Sequence, residues 1–134
     1  MASYEEAVPS NRLVQSSVAA VTTTETSATK KKEVVCTFDG TYRFKFGLKT
    51  AAITDGANAQ LYKNGVAIGI PRNTTSTDPV VYVEDIGGWK RGDLMQLYIW
   101  STAGSQTVTA TGFSIWAEIQ RVGPAIPAGK VNLA

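Results

Sequence analysis

The stretch "AQLYKNGVAIGI", residues 59–70, is two short runs of alternating apolar side chains joined at Asn64-Gly65. Asn-Gly readily takes positive φ at both central positions of a two-residue turn, so the stretch predicts an antiparallel hairpin. The alternation makes Leu61, Val66, Ile68 and Ile70 core candidates. Pro71 has no amide donor and is expected to end the pairing.

The same period of two runs through the flanking sequence. In "TYRFKFGLKT", Tyr42, Phe44, Phe46 and Leu48 share one face while Arg43, Lys45 and Lys49 share the other, which predicts one buried and one wet side. Asp39-Gly40 is a turn signal, so strands are expected over 34–38 and 42–49. After the hairpin, "RNTTSTDP" (72–79) reads as a polar loop, "VVYVED" (80–85) as a strand and "IGGWKRGD" (86–93) as a connection. "LMQLYIWS" (94–101) is the next strand. "TVTATGFSIWAEI" (107–119) is a long one with Phe113, Ile115, Ala117 and Ile119 in register. No segment carries a helical period. About six to nine short strands with regular turns predict an all-β protein, an antiparallel two-sheet sandwich or jelly roll.

The two ends differ from this centre. Residues 1–29 are rich in Ala, Ser, Thr and Val, and read as an extended arm with one strand near Leu13 to Val21. Such an arm buries too little apolar surface to order alone, so a neighbouring subunit or larger assembly is expected to hold it. Residues 30–120 form the globular β domain. Residues 121–134, with two prolines and two glycines, read as an irregular tail.

Composition removes several function classes. At 134 residues the chain suits one domain, which by size scaling buries roughly 70% of its unfolded surface. A net charge of +2 with scattered basic residues makes no stripe for a phosphate backbone, so nucleic acid is not expected as a partner. The Lys30 to Lys32 cluster reads as a solvated strand entry. The longest purely apolar run, "VVYV", is too short to span a bilayer, and "MASYEEAVPS" has acids where an export signal needs positive charge. Without export, Asn73-Thr74-Thr75 reads as loop and not as a glycosylation acceptor. Cys36, the one cysteine, reads as a small buried hydrophobe.

Chemistry is sparse. The chain has no histidine, so an ordinary serine or cysteine triad cannot be assembled. Asp39, Asp55, Asp78, Asp85 and Asp93 stand beside glycine, proline or loop residues, where turn formation explains them. Glu84 and Asp85 are adjacent on a strand and point to opposite faces, which is no glycosidase dyad. No spaced Asp-x-Asp-x-Asp loop marks a calcium site, and neither metal nor cofactor is expected. Arg91-Gly92-Asp93 reads as a structural turn ahead of a strand. The chain is not expected to be an enzyme.

The informative surplus is aromatic. In "DLMQLYIWS", Met95, Leu97 and Ile99 take one face, leaving Leu94, Gln96, Tyr98 and Trp100 on the other, so both faces are apolar. A sheet with a single core should be polar outside, and the second face therefore needs another cover. Trp116 and Tyr62 lie opposite the core residues of their own strands and extend the set.

In order along the chain, "DGTYRFKF", "LYKNG", "RGDLMQLYI" and "TGFSIW" resemble the jelly roll of tumour necrosis factor and the complement globular heads, over roughly residues 10 to 120. The arm "SNRLVQSSVAAVTTT" ahead of "KKKEVVCTFDGTYRFKF" is similar to bacterial and phage members of that superfamily. The resemblance implies a homotrimeric decoration, or cement, protein that binds the major capsid protein of a phage shell and stabilises the head. Such a protein is made in the host cytoplasm and resides on the virion surface. Its trimer contact would be Tyr62, Leu94, Tyr98, Trp100 and Trp116, on strands that the superfamily places together facing a threefold axis. Its capsid-binding arm would use Tyr4, Glu5, Glu6, Arg12, Leu13 and Val14. The alternative it implies is the head of a tail or fibre protein that binds a host glycan or receptor. Collagen stalk, membrane anchor and signal peptide are missing, so a cytokine-like role is not expected.

Overall fold

A computed structural model describes residues 4–122 of the chain. Ten strands follow in order: β1 (Tyr4–Ser17), β2 (Val21–Thr23), β3 (Thr29–Val35), β4 (Gly40–Thr50), β5 (Ala57–Lys63), β6 (Val66–Ala67), β7 (Arg72–Thr74), β8 (Val80–Trp89), β9 (Leu94–Ser101) and β10 (Val108–Val122). They make two five-stranded sheets. The back sheet has the order β2-β10-β1-β4-β8, with β10 also paired to β4; the front sheet runs β3-β9-β5-β6, with β7 beside β5. From β3 to β10 the chain keeps changing sheet, so nearly every close contact is distant in sequence.

One core fills the space between the sheets. Tyr42, Phe44, Phe46 and Leu48 of β4 face Leu61, Met95, Leu97 and Ile99 of the front sheet, and Phe113, Ile115 and Ala117 of β10 complete the cluster. All are at most 2% exposed, as the alternation predicts. Burying a side chain such as Phe44 stabilises the fold by about 2 kcal/mol. Trp89, at the end of β8, packs on Phe44 at 5.5 Å between ring centroids. Cys36 is buried, with its Sγ 3.1 Å from the Phe38 carbonyl, and burial pushes the thiol's pKa up.

The hairpin forms as read. Asn64 and Gly65 have φ of 51° and 81°, and Lys63 pairs with Val66 across the turn. Two expectations around it fail. Val66 and Ile70 are 64% and 56% exposed: Val66 sits at the tip of the hairpin, paired with Lys63 beside the turn, and Ile70 follows a bulge in which the Ile68 and Gly69 amides both donate to the Leu61 carbonyl. That bulge puts the returning strand out of alternation. Pro71 does not end the pairing either: Arg72–Thr74, expected as loop, pairs again with β5 from Ala57 to Ala59.

The largest correction concerns the arm. Over Tyr4–Val8 and Leu13–Ser17 it pairs antiparallel with β10, and Val21–Thr23 pairs with the start of the same strand. Most of residues 1–29 therefore belongs to the chain's own back sheet rather than to a neighbour. Ala7 is 2% exposed, and its amide donates to the Asp39 carbonyl at 2.8 Å. Gly40 beside it has φ of 141°, and a Cβ there would run into the Ala7 backbone. The tail expected over 121–134 lies outside the described residues beyond Val122, where β10 ends.

Candidate functional site

Turns hold Asp39, Asp55 and Asp93, and cross-strand partners hold Glu84 and Asp85. Asp93 accepts the Lys90 amide at 2.9 Å and the Asn64 side-chain amide at 3.1 Å, which hold its carboxyl below the usual range. Asp39 accepts the Arg91 amide at 2.8 Å, so Arg91-Gly92-Asp93 is built into the turn. Glu84 and Asp85 point to opposite faces. Glu84 takes the Ile70 amide and lies 3.6 Å from Arg72, while Asp85 takes Arg43. Asp55 is 4% exposed and accepts six hydrogen bonds, from Gly56, Ser101, Ala103, Ser105 (amide and hydroxyl) and Gln106. The Ser101 hydroxyl leads these in depressing its pKa, with the backbone amides following and burial opposing.

Surface chemistry gathers on the outer side of each sheet. On the front sheet, register sets Tyr98 between Lys30 of β3 and Gln60 of β5, Gln96 between Glu33 and Tyr62, and Trp100 beside Asn58. Tyr62 and Tyr98 stack, with centroids 3.7 Å apart and planes 10° from parallel. Each ring covers one face of the other, and so these aromatics and Trp100 are half-buried within a single chain.

The polar groups of this face are held in place. Gln96 is 4% exposed; its amide donates to Glu33 at 2.9 Å and its carbonyl accepts the Gly65 amide at 2.8 Å. Glu33 also takes Lys30 at 3.0 Å, and the bonds from Gln96 and Lys30 keep its carboxyl below the ordinary value. Gln60 donates to the Gly69 carbonyl at 2.7 Å, Asn58 to Thr102 at 2.9 Å, and Asn73 to Asn58 at 2.8 Å. A row of aromatic rings thus sits among amides whose orientation is fixed by the chain itself.

The back sheet carries a different surface. Arg43 donates through Nε and Nη2 to Asp85 at 2.9 and 3.2 Å, and through Nη1 to Asn11 at 3.0 Å. Trp116 lies between Arg43 and Leu13 in register, its indole N–H donating to Ser114 at 2.8 Å with the Lys45 ammonium 4.4 Å from its ring. Val81 and Val83 of β8 are 65% and 48% exposed.

Of the five residues expected to form one contact, Tyr62, Leu94, Tyr98 and Trp100 share the front face. Trp116 does not, because β10 belongs to the other sheet. Among the expected arm contacts, Glu5, Arg12 and Leu13 are exposed, Glu6 is half-buried and Val14 packs on the core; of Tyr4 only its strand pairing to β10 is described. The framing amides Asn58, Gln60 and Asn73 were missed; Asn58 and Gln60 were legible as the polar alternates of "ANAQLY".

Fold and surface together define a two-sheet all-β domain with an aromatic, amide-framed front face. No family model and no curated protein matches the sequence. Among solved structures, the C-terminal domain of EclA, a sugar-binding protein, is similar at a TM-score of 0.47 and 16% identity, over 81% of each chain.

Proposed function

We propose that the chain is a non-enzymatic recognition domain that binds carbohydrate on its front sheet. The observation that carries this reading is the Tyr62–Tyr98 stack, continued by Trp100, within a frame of fixed amides. Sugars present apolar C–H faces and a rim of hydroxyls. Aromatic rings suit the first, and amide or carboxylate groups suit the second. Because the amides are already oriented, little side-chain entropy is lost on binding. The jelly-roll assignment is supported by the way β3, β4, β5, β8, β9 and β10 alternate between the sheets. The test is a glycan array probed with the intact chain and with Trp100→Ala. Spots that lose signal in the variant support the reading, and an array blank for the wild type overturns it.

A second reading, the homotrimeric capsid decoration protein, is favoured by exposed apolar side chains on the back sheet, Val81 and Val83 of β8 and Leu13 of β1. Its subunit contact would then be the back face rather than Tyr98 and Trp100. Truncating residues 1–28 is no clean test, since that removes β1 and β2 from the sheet. Light scattering of the full chain and of Val81→Thr/Val83→Thr decides: a trimer that the double variant dissolves supports the reading, and a wild-type monomer sinks it.

A further inference from the structure

The back sheet holds a groove of about 410 Å³ lined by Asn11, Arg43, Lys45, Val83, Glu84 and Asp85. That volume falls within the range of small-ligand pockets. One wall comes from a break in β1. Val8 pairs with Glu118 and Leu13 with Trp116, so Pro9, Ser10, Asn11 and Arg12 stand opposite Ala117 alone. Four residues against one make a large bulge, and it carries Asn11 over to β4. Bulges of this kind commonly re-aim a side chain next to a site.

The groove's hydrogen-bonding capacity is one-sided. Both carboxylate oxygens of Asp85 are taken by Arg43, so that pair is neutral within the chain, and the Glu84 carboxylate points to the other face of β8, where the Ile70 amide and Arg72 hold it. The Asn11 carbonyl is taken by Arg43 too, which turns the Asn11 amide donors into the free half of that side chain. Lys45 has no carboxylate within ion-pair distance among the described residues; its ammonium sits 4.4 Å from the centre of the Trp116 ring. What remains unmatched is one positive charge and an amide donor, beside an indole pinned by its own N–H and an exposed valine. The Lys45 ammonium, held over the Trp116 ring, lines the groove, and Val83 is its cross-strand partner, so an anion contact and an apolar contact stand side by side.

We infer that this groove is a binding site for carboxylate-bearing sugars, with the carboxylate on Lys45 and Asn11 and the ring against Val83; Trp116 lies beside the groove, under Lys45, and reports on it. It is separate from the front-sheet site and does not depend on it. Trp116 and Trp100 lie on opposite sheets, so a Trp100 substitution leaves the groove intact.

The experiment follows the Trp116 indole N–H resonance of the ¹⁵N-labelled full chain, assigned with Trp116→Phe, during titration with sodium glucuronate or sodium N-acetylneuraminate. Glucose and sodium acetate at equal ionic strength are the controls. The expected result is a saturable shift with at least one acidic sugar, at least roughly tenfold weaker with glucose and with acetate, and weakened by added salt. Lys45→Met should weaken it by roughly tenfold more, and Trp100→Ala should leave it unchanged. Should Lys45→Met fail to fold, Asn11→Asp, on the exposed bulge, sets a like charge in the groove and must also abolish the shift. The inference is overturned if neither acidic sugar shifts the resonance, if glucose or acetate matches them, or if a folded groove variant binds as the wild type does.

Discussion

The two outer faces are built on the same pleat and end as opposite kinds of surface. On the front sheet, two aromatic rings stack and the amides are oriented by bonds within the chain, so the face is nearly neutral and rigid. On the back sheet, a guanidinium and a carboxylate cancel while an ammonium and two valines are left over. Alternation decides which residues point outward. Cross-strand neighbours decide what those residues can still do: the bonded half of an amide is fixed in place, and its other half is what remains for a ligand, as with the carbonyl oxygens of Gln60 and Asn73. Each substitution below acts on one face or its support and tests this contrast.

The largest effect is expected where β1 meets β4 at a single register pair, Ala7↔Gly40. Gly40→Ala puts a methyl group into the Ala7 backbone at a φ of 141°, and neither obstacle can move cheaply. The expected loss is about 3 kcal/mol, with amides of Glu5 to Val8 exchanging hydrogen faster than those of β5 and β9. Uniform protection across both sheets would show that the β1 contact is incidental.

Next comes the support of the front sheet. In Asp55→Asn the new amide confronts donors from Ser101, Ser105 and the backbone whichever way it is flipped. Thermal scans should show Tm lowered by roughly 5–10 °C. The pH dependence has a definite sign. The folded-state pKa is depressed, so the carboxylate's contribution is complete above the unfolded value of about 4 and fades as pH falls toward the folded one. Wild-type Tm should therefore drop below about pH 4 more steeply than that of the variant, which has no proton to take up there. Parallel curves would remove Asp55 from the account.

What was legible in the sequence follows from how far each interaction reaches. The Asn64-Gly65 turn, the inward faces of β4 and β9, the Arg91-Gly92-Asp93 turn and the opposed Glu84 and Asp85 all depend on neighbours a few residues away. The Asp55 cluster was not legible, since its partners other than Gly56 lie 46 to 51 residues downstream and no local signal separates it from an ordinary turn aspartate. The arm was misread for the same reason: its mixed pattern looks unfit to order until β10, at the other end of the chain, supplies a partner. Ile70 was misplaced because a bulge leaves composition unchanged while breaking the period, and Val66 because alternation does not show that its position at the hairpin tip lies beyond the core. Of the front site, the rings could be read from alternation, whereas the bonds that fix its amides required the register.

A smaller change should separate recognition from stability on the front face. Tyr98→Ala removes half of the stacked pair and is expected to weaken any glycan identified on the array by roughly tenfold, while Tyr98→Phe keeps the stack and loses less. Equal losses in the two variants would shift the credit from the ring to its hydroxyl.

The smallest effect should come from the best-formed ion pair on the back face. Arg43 and Asp85 meet through two hydrogen bonds, yet their side chains are 27% and 42% exposed, so water and salt already solvate much of the charge. β8 is also held to β4 by backbone pairing from Leu48↔Val80 to Tyr42↔Ile86, which does not need the pair. Asp85→Asn and Arg43→Met should each change Tm by about 2 °C or less, with a coupling in the double mutant that shrinks as salt is raised. A large, salt-resistant coupling would mean that the pair carries the edge strand. In that case the contrast between the faces narrows, since the charged back face would then be held as firmly as the amides of the front one.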